Sequence, residues 1–189
     1  MPTFTRSAII KSFMKLLNER PLNKITVKDI VEDCGINRNS FYYYFQDLPA
    51  LAEAVIRDET DRVLNGVNNI SSLEDCLFTA IDLALNNKNA VMHLYRSPSR
   101  ELYEQHLNSI TQYAVTEYIN AVSKDMNIET EDKEIIIRYF KCLLVGFILD
   151  WMNECMKYDV RNTMTRVCEL FSGSMQTALE RSVNTKNLF

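Results

Sequence analysis

Apolar residues recur at three- and four-residue intervals along almost the whole of this chain, and little interrupts them: 189 residues contain only 4 Gly and 4 Pro. A protein of many short strands needs a turn about every ten residues, and Gly and Pro are what supply such turns. Without them the chain reads as all-α. From Thr5 to Glu19 the apolar positions are Ile9, Ile10, Phe13, Met14, Leu16 and Leu17, the spacing of an amphipathic helix that Pro21 then ends. Thr26 stands as an N-cap before Val27, Ile30, Val31 and Cys34. Gly35 can take positive φ, Ile36 is an apolar plug, and Asn37 can cap a third helix through Phe45. Asp47 is the next cap, with Pro49 tolerated in the first turn of a long helix expected to close at Gly66 to Asn69. Further breaks are expected at Asn86 to Asn89, around Pro98, at Lys124 to Glu131 and near Tyr158.

At 47% hydrophobic the chain carries enough apolar surface for a substantial core, which excludes disorder. Cys34, Cys76, Cys142, Cys155 and Cys168 are odd in number and never arranged as CxxC. They indicate neither a disulfide framework nor a zinc site, and read as small buried apolar residues of a reducing cytoplasm. No export signal is expected, because Arg6, Lys11 and Lys15 interrupt the first apolar stretch. The run from Cys142 to Leu149 is far shorter than the roughly 20 residues a membrane helix needs. No cofactor motif is present, and His93 and His106 lack neighbours at metal spacing.

The net charge of −4 argues at first against a nucleic-acid partner. It hides an asymmetry. Residues 1–47 hold 7 Lys and Arg against 5 Asp and Glu, and the rest hold 14 against 20. Within that first quarter lies Thr26 to Phe45, TVKDIVEDCGINRNSFYYYF, which reads as helix, tight Gly-containing turn, helix. That is the organisation of a helix-turn-helix, whose second helix enters the major groove with its first residues at the base edges. Here those residues are Asn37, Arg38, Asn39 and Ser40. Arg can bind guanine bidentately and Asn adenine, while Ser and Tyr hydroxyls reach phosphates without demanding net positive charge. Tyr42, Tyr43 and Tyr44 point about 100° apart around a helix, so at least one must be displayed outward.

Residues from about Phe4 to Ile56 resemble the DNA-binding domain of the TetR/AcrR family of transcriptional regulators. The resemblance rests on Thr26, on Gly35-Ile36-Asn37, on Ser40-Phe41-Tyr42-Tyr43-Tyr44-Phe45 and on Leu48-Pro49-Ala50-Leu51. It implies that Arg38, Asn39 and Tyr43 read bases, that Thr26, Asn37, Ser40, Tyr42 and Tyr44 hold phosphates, and that Phe41 and Phe45 are core. Two positions depart from the family pattern: Tyr44 stands where a His is usual, and Leu48 where a phosphate-binding Lys is frequent. Lys24, Lys28 and the first amides of the fourth helix are the groups available to compensate.

The resemblance implies a helix-turn-helix domain over residues 1–47, a connecting helix over 48–68, and a ligand-binding and dimerisation domain over 69–189. The implied protein is a ligand-responsive regulator, most often a repressor, gripping palindromic operator DNA as a cytoplasmic homodimer and not an enzyme. Met92, His93, Tyr95, Tyr103, His106, Tyr113, Phe140 and Phe147 are the candidates to line an effector pocket. The segment Asp132 to Lys157 is apolar nearly all round and must be covered on most sides. A last helix carrying Met164, Val167, Cys168, Phe171, Met175 and Leu179 shows a near-heptad stripe. Gly146, Met164, Val167, Phe171 and Met175 are therefore expected at a dimer interface, with Gly146 and Gly173 letting backbones approach. Asp82, Glu101, Glu104 and Asp150 stand beside no nucleophile or phosphate loop and read as solvated helix faces. The competing reading is a helical adaptor that keeps the helix-turn-helix as scaffold and binds only protein.

Overall fold

In the computed structural model of the chain, residues 2–67 and 73–185 are described. Every regular element among them is helical: α1 (Pro2–Glu19), a 3-10 turn (Leu22–Lys24), α2 (Val27–Cys34), α3 (Arg38–Tyr44), α4 (Leu48–Val67), α5 (Leu73–Asn86), α6 (Lys88–Tyr95), α7 (Arg100–Val122), α8 (Thr130–Asn153), α9 (Val160–Leu170) and α10 (Ser174–Thr185). The expected close of the fourth helix at Gly66 to Asn69 runs beyond Val67, outside the described residues, as does Cys76's side chain.

The chain forms two compact units that do not follow chain order: Met1–Arg62 with Asp82–His106, and Val63–Ile81 with Leu107–Phe189. In the first, Ile9, Phe13, Leu16 and Leu17 of α1, Ile30 and Val31 of α2, Phe41 of α3, and Leu51, Ala52, Val55 and Ile56 of α4 make one apolar cluster. These are the helical stripes read from the sequence, and each large side chain fully buried there stabilises by about 1.5–3 kcal/mol. Ala90 and Leu94 of α6 complete the cluster. α6 is also tied to α1 by polar groups. The Asn18 Oδ1 accepts the Ala90 amide at 3.2 Å, Asn89 donates to the Asn18 carbonyl at 3.2 Å, and the His93 Nδ1–H donates to the Leu17 carbonyl at 2.7 Å. Carbonyls left over at the end of one helix and an amide left over at the start of the other thereby satisfy each other's element.

The second unit buries Val115 and Ile119 of α7, Ile136 and Ile137 of α8, and Leu179 of α10. Ser182 donates to Asp132 at 2.6 Å, holding α10 to the start of α8, and the buried Trp151 donates its Nε1–H to the Tyr158 carbonyl at 3.2 Å.

Three details differ from the sequence reading. The last apolar stripe is carried by two helices, because Gly173 takes φ +75° and turns the chain between α9 and α10. α8 stops at Asn153, and Cys155 (φ 58°) and Met156 (φ 53°) follow in left-handed backbone. That conformation costs about 1–2 kcal/mol per non-glycine residue. The Met156 amide bonding the Trp151 carbonyl at 2.8 Å helps to hold it. Cys142, read as buried, is exposed on α8.

Candidate nucleic-acid interface

The local geometry of α2 and α3 follows from their caps. Thr26 accepts the Asp29 amide on its hydroxyl at 3.2 Å, and the Asp29 carboxylate takes the Thr26 amide at 2.8 Å and hydroxyl at 2.7 Å. This is a reciprocal capping box, worth about 1 kcal/mol, with Asp in place of the more usual Glu. The Thr26 hydroxyl and amide hold the Asp29 carboxyl below its ordinary range, with Arg20, 3.2 Å away, adding to the effect. Gly35, at φ 68° and ψ 31°, ends α2 in the left-handed conformation that favours glycine, and the Ile36 amide returns to the Val31 carbonyl at 3.0 Å. Asn37 then caps α3, its Oδ1 accepting the Ser40 amide at 2.8 Å and the Ser40 hydroxyl at 3.1 Å.

With both ends of the turn fixed, α3 faces one way. Phe41 is wholly buried and Phe45 nearly so, with their ring centroids 5.9 Å apart. Arg38 and Asn39 are exposed, and neither is held by a hydrogen bond or ion pair among the described residues. Tyr43 is 79% exposed and Tyr42 54%, whereas Tyr44 is half-buried with its ring edge-on to Tyr43. The run of three tyrosines therefore displays two. Lys28 is exposed and 3.7 Å from Glu32, one turn on.

The structure explains the departure at Leu48: its side chain packs partly buried against the first apolar cluster, so it serves the fold where a cation would serve a phosphate. The start of α4 is capped in the ordinary way, the Asp47 carboxylate accepting the Ala50 amide at 2.8 Å. That places an acidic group where amides were expected to compensate for the missing lysine.

The effector candidates divide. Met92, His93, Tyr95, Tyr103 and His106 belong to the first unit, and Tyr113, Phe140 and Phe147 to the second. Met92 and Tyr95 are buried, and Tyr95 stacks edge-on with Tyr103 at 6.1 Å. Burial pushes the Tyr103 phenol up to about 12, with Tyr95 adding to the effect. No hydrogen bond joins that phenol to another described residue. His106 Nδ1 lies 3.3 Å from the Thr60 hydroxyl, whose own proton goes to the Ile56 carbonyl at 2.8 Å. The Thr60 hydroxyl oxygen therefore accepts from the His106 Nδ1–H. In the second unit Tyr113 is exposed, Phe140 packs against the core cluster and Phe147 is half-buried.

The interface candidates are also unequal. Met164 is buried in its own chain and Met175 packs against the second cluster, whereas Gly146 and Phe171 are exposed and Val167 is half-buried. Sequence reasoning missed the exposed residues of α8: Ile135 at 58%, Tyr139 at 59% and Leu143. With Gly146 they lie at i, i+4, i+8 and i+11, one face of the helix, a spacing present in the sequence but hidden by the apolar residues around it. It also missed Asp29 and Arg20, although T-x-x-D before an apolar stripe is a recognisable capping pattern.

A helix pair joined by a left-handed glycine, with polar and aromatic side chains on the first turns of its second member, defines a helix-turn-helix DNA-binding protein. Comparison with known proteins gives its family. Residues 9–55 match the model described as bacterial regulatory proteins of the tetR family, and residues 71–173 the model of a transcriptional regulator C-terminal region. The chain belongs to the TetR family of transcriptional regulators. It is 23% identical over 184 residues to the uncharacterized HTH-type transcriptional regulator YxbF of Bacillus subtilis, a match that takes in 91% of this chain and 46% of that one. The chain thus spans about half the length of that relative. It is 41% identical over 58 residues to the HTH-type regulator EthR of Mycobacterium tuberculosis, 31% of this chain and 25% of EthR. In fold it is similar to the dihydroxyacetone kinase operon activator DhaS, with a TM-score of 0.77 at 16% identity, over 92% of this chain and 97% of that one. Among the described residues no helix is long and apolar enough to cross a membrane.

Proposed function

We propose that the protein is a ligand-responsive repressor that binds palindromic operator DNA as a homodimer in the cytoplasm and is not an enzyme. The observation that carries this reading is the outward display of Arg38, Asn39, Tyr42 and Tyr43 on a helix whose Phe41 is fully buried. Arg38 and Asn39 read base edges together with Tyr43, while Tyr42, Tyr44, Lys28 and the capped starts of α2 and α3 hold phosphates. Dimerisation is supported by the uncovered face of α8, Ile135, Tyr139, Leu143 and Gly146, and by Leu170 and Phe171 at the end of α9. Two such chains set their recognition helices at a spacing near 34–36 Å or a multiple of it, which a two-fold symmetric operator matches. Repression follows from occupancy alone, since a dimer lying across a promoter excludes other proteins.

Effector binding is supported by the Tyr103 phenol, pushed up by burial and edge-on to Tyr95, and by the half-buried ring of His106. Coupling of about 1–3 kcal/mol between effector and operator suffices for a switch.

The test is fluorescence anisotropy on random duplex DNA across a salt series. Lys24 and Lys28 from two protomers give four cations, so the logarithm of affinity should fall with that of salt at a slope of about −4. Absence of binding even at the lowest salt would favour the adaptor reading instead.

A further inference from the structure

We propose that Arg6 is a positioning residue for DNA reading: clamped on Asp58 of α4 and laid over Phe45 at the end of α3, it fixes the roll of α4 against the recognition helix. The inference rests on the DNA-binding reading above.

Arg6 lies near the start of α1 and Asp58 in the second half of α4, 52 residues apart. The guanidinium Nη1 donates to Asp58 Oδ2 at 2.8 Å and Nη2 donates to Oδ1 at 3.0 Å. Two parallel bonds between planar groups fix a distance and also an angle. The same guanidinium carbon stands 5.8 Å from the centre of the Phe45 ring. Phe45 is the residue that ends α3, and its ring reaches Phe41 inside the core. One side chain therefore touches the first helix, the end of the recognition helix and the connecting helix.

The α4 residues buried in the first apolar cluster, Leu51, Ala52, Val55 and Ile56, carry no polar side-chain group. Hydrophobic burial is non-directional, whereas a bidentate ion pair prefers one geometry. Because the two side chains remain 40% and 36% exposed, solvent screens the pair and its share of the fold's stability is small. Its effect is expected in the orientation of α3 and not in whether the protein folds. The alternative role for Arg6, a direct hand to a phosphate, makes the opposite forecast for Asp58, since removing that carboxylate would free the guanidinium for DNA.

The test uses the full-length protein, a duplex that the wild type enriches from a random library, and a scrambled duplex of the same length. Arg6→Gln and Asp58→Asn should each weaken the enriched duplex about fivefold while leaving the scrambled duplex and the salt slope unchanged. Exchanging the pair, Arg6→Asp with Asp58→Arg, should bring affinity back to within about twofold, a rescue expected of a geometric clamp. Without DNA, amide hydrogen exchange in the α4 turn around Asp58 should quicken in both single variants and recover in the exchanged pair. Tighter binding by Asp58→Asn, or a slope reduced by about two in Arg6→Gln, one contact from each protomer, would show a phosphate contact and overturn the clamp. Unchanged affinity in both single variants would overturn it as well. Either result leaves DNA binding intact. A wild type that enriches no duplex sinks that earlier reading, and with it any positioning role in DNA recognition.

Discussion

The α2–α3 pair and the α8 helix treat their apolar residues in opposite ways. In the first, the large apolar side chains Ile30, Val31 and Phe41 turn inward, and the outer surface is left to Arg38, Asn39 and two tyrosines. In the second, Ile136, Ile137 and Val145 are buried while Ile135, Tyr139 and Leu143 face outward on the same helix. A polar, hydrogen-bonding surface with few charges suits the edges of base pairs. An apolar face repeated at helical spacing suits a second copy of itself, because self-complementary burial needs no charge matching. The proposed function assigns the chain two docking chemistries, and the location of each can be tested by breaking it.

The largest effect is expected at the point where the first region is anchored. Phe41→Ala removes a fully buried ring and should cost about 3–5 kcal/mol, read as a lower midpoint in urea denaturation. A loss under about 1 kcal/mol would mean that α3 is not seated as described. Next comes the second region: Leu143→Asp should weaken self-association by about 2–4 kcal/mol with helical content unchanged, as measured by sedimentation equilibrium and circular dichroism. A wild type that sediments as a single chain at all concentrations would remove self-pairing as the purpose of that face. Within the first region, Arg38→Ala should cost about 1–3 kcal/mol on the enriched duplex and nothing on random DNA, whereas Tyr42→Phe should weaken both alike. Equal losses for Arg38→Ala on the two duplexes would move it from base to phosphate.

The smallest effect is a pH dependence. The folded chain holds the Tyr103 proton up to about 12, while the unfolded chain releases it near the ordinary value of 10. Stability from this group is therefore complete below about pH 10 and lost as pH rises toward 12. Tyr103→Phe should flatten thermal stability over that window and leave it unaltered at pH 7. A variant with the same alkaline decline as wild type would place the phenol in water.

How much of this was legible in the sequence depended on range. Thr26, Gly35, Asn37 and Asp47 act within three or four residues of themselves, and all four hold the places their chemistry implies. The break at Gly173 was harder to see, because Phe171 and Met175 keep the helical spacing across it and periodicity alone continues. The turn at Cys155 and Met156 contains no glycine to announce it. Pairings of Arg6 with Asp58, or Asn18 with Ala90, join residues more than fifty apart, and nothing in either local segment names its partner. For the same reason the effector candidates, collected by side-chain type, fell into two units. Leu48 shows a different failure: the family pattern offered only a missing cation, where packing supplies a reason for leucine.

The closure of α6 onto α1 has a consequence for synthesis. Ile9, Phe13 and Leu17 leave the ribosome well before Ala90 and Leu94, which finish the cluster they enter. At about 5–20 residues per second, the leading helices wait several seconds with one flank bare before their last neighbours arrive. A nascent chain stalled before α6 would present that flank to chaperones, and a truncated gene product ending there would inherit it permanently.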